Sequence, residues 1–439
     1  MARIPRPAPA ATLFALIFLS LSTPLLAASL SVGDGCDPLT SSACPDRTSC
    51  AADDAGEFTC THKDLKPFDV IDGLTIFAVF FASALAAGGG IGGGGLLVPI
   101  YLLLQGFTTA QATALSLSTI AGSSIANIYQ YSRMHHPDKG YVRPLIDYDA
   151  ALLLTPALLA GTTIGVVVST VAPDWLVVAL LVVVLGKVTV KTLQSGEESE
   201  ATVTAGGVEA GEVEMQVAGG GEQEYARVNT SRRASVKLSN VDALEHVYAK
   251  DARLLPKRKL ALTFGIWVLV FVFSLLRGGK GGASAVGAEC GDGLYWGLLA
   301  GNLVMLVVAT GFLRSKLLKT STLRASLGHA LGKGELVWDD STTVKYPSIS
   351  IAAGIGAGLL GIGGGMIVGP LLLALGSMPQ SSAATSAWVV LITASSGLAQ
   401  VLIYGILPFD YALLFGGVGL CSTVVGLKVV GYLIKNAAI

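Results

Sequence analysis

The sequence is poor in charged residues. Asp, Glu, Lys and Arg make up 13% of its 439 residues, whereas a typical soluble domain has about 25%. Residues 73–132 and 347–409 contain no charged residue and no histidine. A membrane-spanning helix needs about 20 mostly apolar residues, so each stretch can hold more than one span. The sequence therefore predicts an all-α, polytopic membrane protein.

The missing charge also limits the possible functions. An active site inside the membrane needs buried carboxylates or a bound metal, and neither uncharged stretch provides them. We therefore predict no enzymatic activity, no cofactor and no metal site. The net charge of −1 comes from acidic and basic residues mixed in the loops, so the sequence predicts no nucleic-acid partner.

The first 28 residues have the pattern of a cleavable signal peptide. Arg3 and Arg6 precede an apolar run at residues 10–26, and small residues follow around Ala28. This order of charge, apolar run and small residues is typical of a secretory signal. An uncleaved anchor helix is the alternative. The pattern predicts an integral membrane protein of the secretory pathway, in the plasma membrane or an endomembrane.

Cysteine is rare, and four of the six cysteines lie in the polar segment 29–67, at Cys36, Cys44, Cys50 and Cys60. Closely spaced cysteines behind a signal peptide indicate disulfides in an oxidising compartment. A zinc site is disfavoured, because the segment has no Cys-x-x-Cys pair and His62 is the only histidine near it. We predict a small extracellular or lumenal module with two disulfides, whose pairing stays open.

A long polar interruption occupies residues 194–257. Its first half is acidic and its second half is basic, and Gly, Ser, Thr and Glu dominate its composition. Such a segment buries too little apolar surface to fold, so we predict a disordered cytosolic loop. Arg232 and Arg233 precede Ser235, which makes Ser235 a candidate phosphorylation site for a basophilic kinase. A solvated basic stretch is the alternative interpretation.

Two glycine-rich breaks interrupt the remaining apolar segments. Residues 88–95 hold seven glycines in eight positions, and residues 360–370 read LGIGGGMIVGP. Glycine inside a helix costs about 1 kcal/mol relative to alanine, so both clusters work against a continuous span. The surroundings match in order: Ile91 with Ile362, Pro99 with Pro370, Thr113 with Thr385, Ser123 with Ser395, and Asp147 with Asp410. The chain is therefore predicted to contain two repeats, at residues 68–193 and 347–439, joined through residues 258–346 by linking transmembrane helices and a cytosolic loop.

The charges of the loops predict the topology. Basic residues cluster at 133–143, 227–259 and 314–345, and the positive-inside rule places such segments in the cytosol. An extracellular cysteine module then requires an odd number of crossings before residue 133. A re-entrant hairpin satisfies this count if residues 69–87 enter the membrane and residues 96–105 return. The second hairpin would enter from the cytosolic side, so the two repeats are predicted to be inverted.

The broken helices predict a binding site for a small anion. Non-helical backbone at membrane depth is tolerated where it lines a cavity or is buried in protein, and half-helix N-termini attract anions. Hydroxyl and amide side chains in both repeats would add donors. The candidate residues are Gly92, Gly93, Gly94, Thr113, Ser116, Ser123, Ser124 and Asn127 in the first repeat, and Gly363, Gly364, Gly365, Thr385, Ser386, Ser395 and Ser396 in the second. Close helix packing is the alternative explanation for these small residues.

The paired motifs IGGGGLLVP and GIGGGMIVGP, each followed by a Thr- and Ser-rich helix, resemble the TauE/SafE sulfite exporter family. The sequences Asp147-Tyr148-Asp149 and Pro173-Asp174-Trp175-Leu176 resemble its eukaryotic, plant-type branch. This resemblance implies export of sulfite, an organosulfonate or a related small anion. It also implies a closing helix after the second repeat, which the sequence ending at Ile439 is expected to lack.

Two other functions remain open at this point. The chain could be a membrane-embedded receptor or scaffold that acts through its cysteine module and long loop, or it could be an anion channel. The duplicated break favours transport, because a scaffold has no use for glycine-rich turns inside both repeats. The predicted partners are thus the lipid bilayer and a small anionic substrate, and the oligomeric state is left open.

Overall fold

A computed structural model describes residues 48–52, 58–88, 94–137, 143–173, 175–184, 186, 252–279, 284–287, 292–327, 332 and 334–437. Several predictions concern positions outside these residues. They include the signal peptide, Cys36 and Cys44, Gly92 and Gly93, Ser235, and most of the loop 194–257.

The described chain is almost entirely helical. A two-stranded antiparallel ribbon, β1 (Thr48–Ala52) and β2 (Phe58–His62), lies in the predicted cysteine module. The helices of the first half are α1 (Val70–Gly88), α2 (Gly94–Ile100, continued by a π-helical turn at Tyr101–Gln105), α3 (Thr109–Tyr131), α4 (Tyr148–Ser169) and α5 (Trp175–Val184). Those of the second half are α6 (Lys257–Arg277), α7 (Gly293–Ser326), α8 (Thr342–Leu360), α9 (Gly365–Ala374), α10 (Pro379–Ile403) and α11 (Phe409–Ala437).

Six helices in the described part of the chain, α1, α4, α6, α7, α10 and α11, are long and apolar enough to cross a membrane. Helices α6 and α7 expose large apolar side chains such as Phe264, Val304 and Phe312. In water such surfaces are unfavourable, whereas in a bilayer they face lipid. The prediction of an all-α polytopic membrane protein is confirmed.

Local sequence explains where two central helices begin. Thr108 caps α3: its hydroxyl accepts a hydrogen bond from the Gln111 amide, and the Gln111 side chain bonds back to the Thr108 amide. Asp147 caps α4 by accepting bonds from the amides of Asp149 and Ala150, both at 3.0 Å. Each cap satisfies helix N–H groups that have no partner within the helix.

Helix α7 is longer than predicted. The apolar run ends at Leu313 and the basic segment 314–345, for which the sequence predicts a cytosolic loop, begins at Arg314, but the helix continues to Ser326. No glycine or proline follows Gly311 within it, and Leu317 is buried in a core cluster with Leu336 and Trp338. The favourable free energy of packing this extra helical part exceeds the unfavourable effect of its charged residues.

The interior of the bundle is built by small residues. Helices α4 and α8 meet through Gly161 and Gly165 on one side and Gly354 and Gly358 on the other. A Cβ on Gly161 would lie 2.2 Å from the Ile351 carbonyl oxygen. Helix α3 lies at the centre, where nearly every side chain from Ala112 to Ser124 is buried. Apolar lipid does not drive helices together, so close contact of this kind stabilises them instead.

The first broken helix forms a hairpin. The side chain amide of Gln105, at the end of the π-helical turn, donates to the Asp72 carboxylate in the first turn of α1 at 3.0 Å. Lys63 forms an ion pair with the same carboxylate at 2.9 Å. The two ends of the hairpin therefore meet, as expected for a segment that returns to the side from which it entered.

Candidate functional site

The two glycine breaks lie against each other inside the bundle. Helix α8 ends at Leu360, and Gly361, Gly363 and Gly364 have φ angles of 64°, 71° and 70° before α9 begins. A residue with a side chain is strained in this left-handed region. Gly94, the first residue of α2, packs on this turn so closely that a Cβ would lie 2.5 Å from the Ile362 Cα.

Helix α3 packs on the second break. The Ser116 hydroxyl donates to the Gly361 carbonyl oxygen at 2.8 Å, and a Cβ on Gly361 would lie 2.9 Å from the Thr113 Cα. Of the predicted first-repeat residues, Gly94, Thr113 and Ser116 are thus at the place where the breaks meet.

The other predicted residues of α3 lie further along the helix. The Ser123 hydroxyl donates to the Gly419 carbonyl oxygen of α11 at 3.1 Å. Ser124 and Asn127 are buried, and the Asn127 side-chain oxygen has no hydrogen-bond partner within the described part of the chain. Ser123 therefore contributes to helix packing, which was the alternative interpretation of these residues.

The predicted residues of α10 divide in the same way. The Ser386 hydroxyl is directed at the Gly365 carbonyl oxygen, 3.4 Å away, so it contacts the start of α9. The Thr385 hydroxyl accepts a bond from the Asp147 amide at 2.9 Å. Ser396 accepts a bond from the Gln400 side chain at 3.5 Å. Ser395 is only partly buried and bonds the Ile392 carbonyl of its own helix.

Helix α10 carries buried polar residues along one side, interrupted by Val389. With 3.6 residues per turn, its buried polar residues fall within an arc of about 140°; they are Ser381, Ser382, Thr385, Ser386, Thr393, Ser396 and Gln400. Ser395 lies off this arc. A Cβ on Gly364 would be 3.8 Å from the Thr393 hydroxyl, so the polar face passes directly beside the second break.

One end of this face reaches a basic cavity of about 770 Å³. The described parts of all three basic segments line it, including Arg143, Arg253 and Arg324. Ion pairs join Lys259 to Asp149 at 2.7 Å, Arg324 to Asp149 at 3.7 Å, and Arg143 to Glu335 at 3.6 Å. The structure thus places these basic segments at one end of the bundle.

Asp147 also lines this cavity. Desolvation raises the pKa of its carboxyl, and the neighbouring charge of Asp149 raises it further, against smaller opposing effects of the Ala150 amide and Lys259. The carboxyl group therefore takes up a proton more readily than an aspartic acid in water.

Sequence reasoning missed Arg277 and Tyr404. Arg277 ends α6, is only 2% exposed, and donates a hydrogen bond to the Tyr404 hydroxyl. A charge at the end of an apolar run ordinarily reaches the membrane surface, so its position in the sequence gave no sign of burial.

Discontinuous helices that meet inside a polytopic bundle are typical of secondary transporters. Comparison with known sequences gives the family. A profile described as "Sulfite exporter TauE/SafE" matches residues 75–223. "Sulfite exporter TauE/SafE family protein 3" of Arabidopsis thaliana is 32% identical over 359 residues, which cover 81% of this chain and 71% of that protein.

"Sulfite exporter TauE/SafE family protein 2" of the same plant is 30% identical over 395 residues, covering 88% of this chain and 81% of that protein. No solved structure matches the chain. The chain belongs to the TauE/SafE sulfite exporter family. It is accordingly a membrane transporter by family, and the family's members are not enzymes.

Proposed function

We propose that this protein exports small anions, sulfite or organosulfonates, and that the substrate binds where the two glycine breaks meet. The observation that carries the proposal is the contact of Gly94 with Ile362, which joins two helix interruptions from distant parts of the sequence. Irregular backbone inside a membrane is tolerated only where it lines a cavity or is buried in protein. The printed names of the curated relatives support the choice of sulfite.

The chemistry around the breaks suits an oxyanion. The described residues next to them, Thr113, Ser116, Ser386 and Thr393, provide hydroxyl groups and no negative charge. The hydroxyls of Ser116, Ser386 and Thr393 donate to backbone carbonyl oxygens and would turn from them to a bound anion. The start of α9 adds backbone amides and the positive end of a helix dipole. A sulfite or sulfonate group, with three oxygen acceptors, is stabilised by such donors.

We propose further that the two repeats are inverted. The first hairpin closes through Gln105 and Asp72 at one end of the bundle. In the second, Leu372 of α9 packs in one cluster with Trp338, which precedes α8, at the end that holds the basic cavity. The two hairpins thus have their chain ends at opposite ends of the bundle, which supports inverted repeats. The positive-inside rule favours the cytosol for the end that holds the basic cavity.

The remaining predictions about organisation are part of the same proposal. Residues 1–28 would direct the chain to the secretory pathway, residues 29–67 would form the extracellular or lumenal module, and residues 194–257 would form the cytosolic loop. This orientation gives the exporter a cytosolic entrance lined by cations.

Flux measurements in proteoliposomes containing the purified full chain test the proposal. We expect saturable uptake or release of labelled sulfite, inhibited by an organosulfonate such as taurine. Preloading of the opposite side with unlabelled sulfite should accelerate exchange, because a carrier returns faster when loaded. Flux without this acceleration would indicate an anion channel. Protein that is folded but gives no flux would indicate a receptor or scaffold.

A further inference from the structure

Arg277 is the largest side chain among the fully buried ones. Its guanidinium group donates to the Tyr404 hydroxyl. The guanidinium carbon lies 5.4 Å from the ring centre of Tyr295 and 5.7 Å from that of Tyr404. The rings of two tyrosines therefore surround the cation, and one of them also binds it through its hydroxyl.

Among the residues that the structure describes, these neighbours include no counter-ion for the positive charge. Within the described residues, no ion pair joins Arg277 to a carboxylate, and its Nε has no hydrogen-bond partner. Removing a charge from water is unfavourable unless an opposite charge compensates. Cation–π contacts recover only part of this free energy.

The position of Arg277 matters as much as its burial. It lies at the opposite end of α6 from Lys257, and 21 helical residues span about 30 Å, the thickness of the hydrocarbon core. The charge is therefore on the far side of the membrane from the basic cavity. On the orientation proposed above, it lies at the extracellular or lumenal end.

Tyr404 connects this charge to the polar face of α10. Gln400 is one turn before Tyr404, and Ser396 is one turn before Gln400. Gln400 is 1% exposed, and its side-chain oxygen has no hydrogen-bond partner in the described part of the chain. The polar face thus runs from the second glycine break, past Thr393, to the guanidinium group.

We propose that Arg277 and Tyr404 form a second binding site for a small oxyanion, at the end of the path by which the anion leaves. The proposal rests on the anion export proposed above and adds the residue that supplies positive charge. The planar guanidinium group binds two oxygens of a sulfite or sulfonate side by side. The Tyr404 oxygen accepts the bond from Arg277, and the Tyr404 hydroxyl is also hydrogen-bonded to Tyr295. A bound anion would replace Tyr295 as the acceptor of the Tyr404 proton.

A calorimetric titration of the purified full chain with sodium sulfite tests this site without measuring flux. Arg277→Gln should weaken sulfite binding about tenfold or more, the effect of losing a charged hydrogen bond. Arg277→Lys keeps the positive charge but lacks the planar guanidinium group, so it should weaken sulfite binding less than Arg277→Gln does. Tyr404→Phe removes one donor and should also weaken binding, while preserving the ring that packs on Gly279.

The matched control is Arg133, an exposed arginine that stacks on Tyr129 at 4.0 Å. Arg133→Gln should leave sulfite affinity unchanged. If Arg277→Gln does not fold, Tyr404→Phe and Arg277→Lys decide the question. Wild-type affinity in either Arg277 variant that folds, or absence of sulfite binding to the wild type, would overturn the proposal.

An internal counter-ion is the competing explanation, and Glu289, outside the described residues, is the nearest acidic residue in the sequence between α6 and α7. If Glu289→Gln lowers the melting temperature as much as Arg277→Gln while sulfite affinity stays unchanged in both, Arg277 is a structural ion-pair partner and the proposal fails. The two proposals fail separately. Sulfite binding that depends on Arg277 without flux would refute export alone, whereas normal flux and affinity in Arg277→Gln would refute this site alone.

Discussion

Gly94 and Ile362 touch through their backbones although 268 positions separate their residue numbers (362 − 94). A Cβ on Gly94 would lie 2.5 to 2.6 Å from the Cα, carbonyl carbon and carbonyl oxygen of Ile362. All three atoms belong to the main chain, so a side-chain rotation cannot relieve the contact. The two interrupted helices thus form one structural unit.

Substitution of Gly94 should therefore destabilise the whole bundle. Overpacking of a close contact typically costs about 1 to 3 kcal/mol, so Gly94→Ala should lower the melting temperature of the purified protein in detergent. Gly297→Ala is the control, because nothing lies within 4 Å of a Cβ at that position in α7. That variant should be neutral or gain up to about 1 kcal/mol from helix propensity. Equal stability of the two variants would contradict the tight contact.

Gly364 allows the proposed substrate site to be tested separately from packing. A Cβ there has room, since the nearest atom is 3.7 Å away, but the φ of 70° is strained for any residue with a side chain. Gly364→Ala should cost about 1 to 2 kcal/mol and should reduce sulfite flux, because the methyl group covers amides of the break. Gly376→Ala, at an exposed position with a φ of 90°, carries a similar strain away from the site.

Flux in proteoliposomes, normalised to folded protein, distinguishes the two effects. The Gly376 variant should transport like the wild type, and the Gly364 variant should not. Normal flux in both would mean that the glycines of the second break serve the backbone turn alone, and the substrate would have to bind elsewhere.

Much of this architecture could be predicted from local sequence. Apolar runs located the helices, and the glycine clusters located both breaks, because each signal lies within a few residues of the feature that it specifies. The cap of Asp147 on α4 is equally local, since a cap acts on the next two or three residues.

The partners of the candidate site residues could not be predicted. Ser116 donates to Gly361, 245 positions away, and such a pairing depends on how the two halves of the chain pack. Arg277 shows the same limit for charge. Its burial results from Tyr295, which lies on α7, and from Tyr404, which directly follows α10. A single sequence does not show that Ser116 contacts Gly361 or that Arg277 contacts the two tyrosines.

Asp147 should make stability depend on pH. Its folded-state pKa is raised, first by desolvation and then by Asp149, so the folded protein binds this proton more tightly than the unfolded chain. The stabilisation is complete below the ordinary pKa of aspartic acid and is lost as the pH rises through the folded-state pKa. Asp147→Asn keeps a good helix cap and removes the charge.

The melting temperature of Asp147→Asn relative to the wild type should therefore increase between acidic and mildly alkaline pH. Asp147→Ala is the control for the cap and should be about 1 kcal/mol less stable than Asp147→Asn at every pH. If Asp147→Asn were as destabilising as Asp147→Ala at alkaline pH, the ionised carboxylate would be the favoured form, contrary to the prediction.

The strand register predicts one disulfide of the cysteine module. Cys50 and Cys60 are directly opposed in the antiparallel ribbon, and opposed residues have Cα atoms about 4.5 to 5.5 Å apart, within the range that a disulfide bridges. We expect Cys50 to pair with Cys60, which would leave Cys36 to pair with Cys44.

Digestion of the mature protein under non-reducing conditions, followed by mass spectrometry, should yield a linked peptide pair containing Cys50 and Cys60. Cys50→Ser should expose the Cys60 thiol to maleimide without reductant, whereas Cys421, an exposed free cysteine, should react in both proteins once detergent gives access. Linkage of Cys50 to Cys36 or Cys44 would show that oxidation selects a different register from the one in this ribbon.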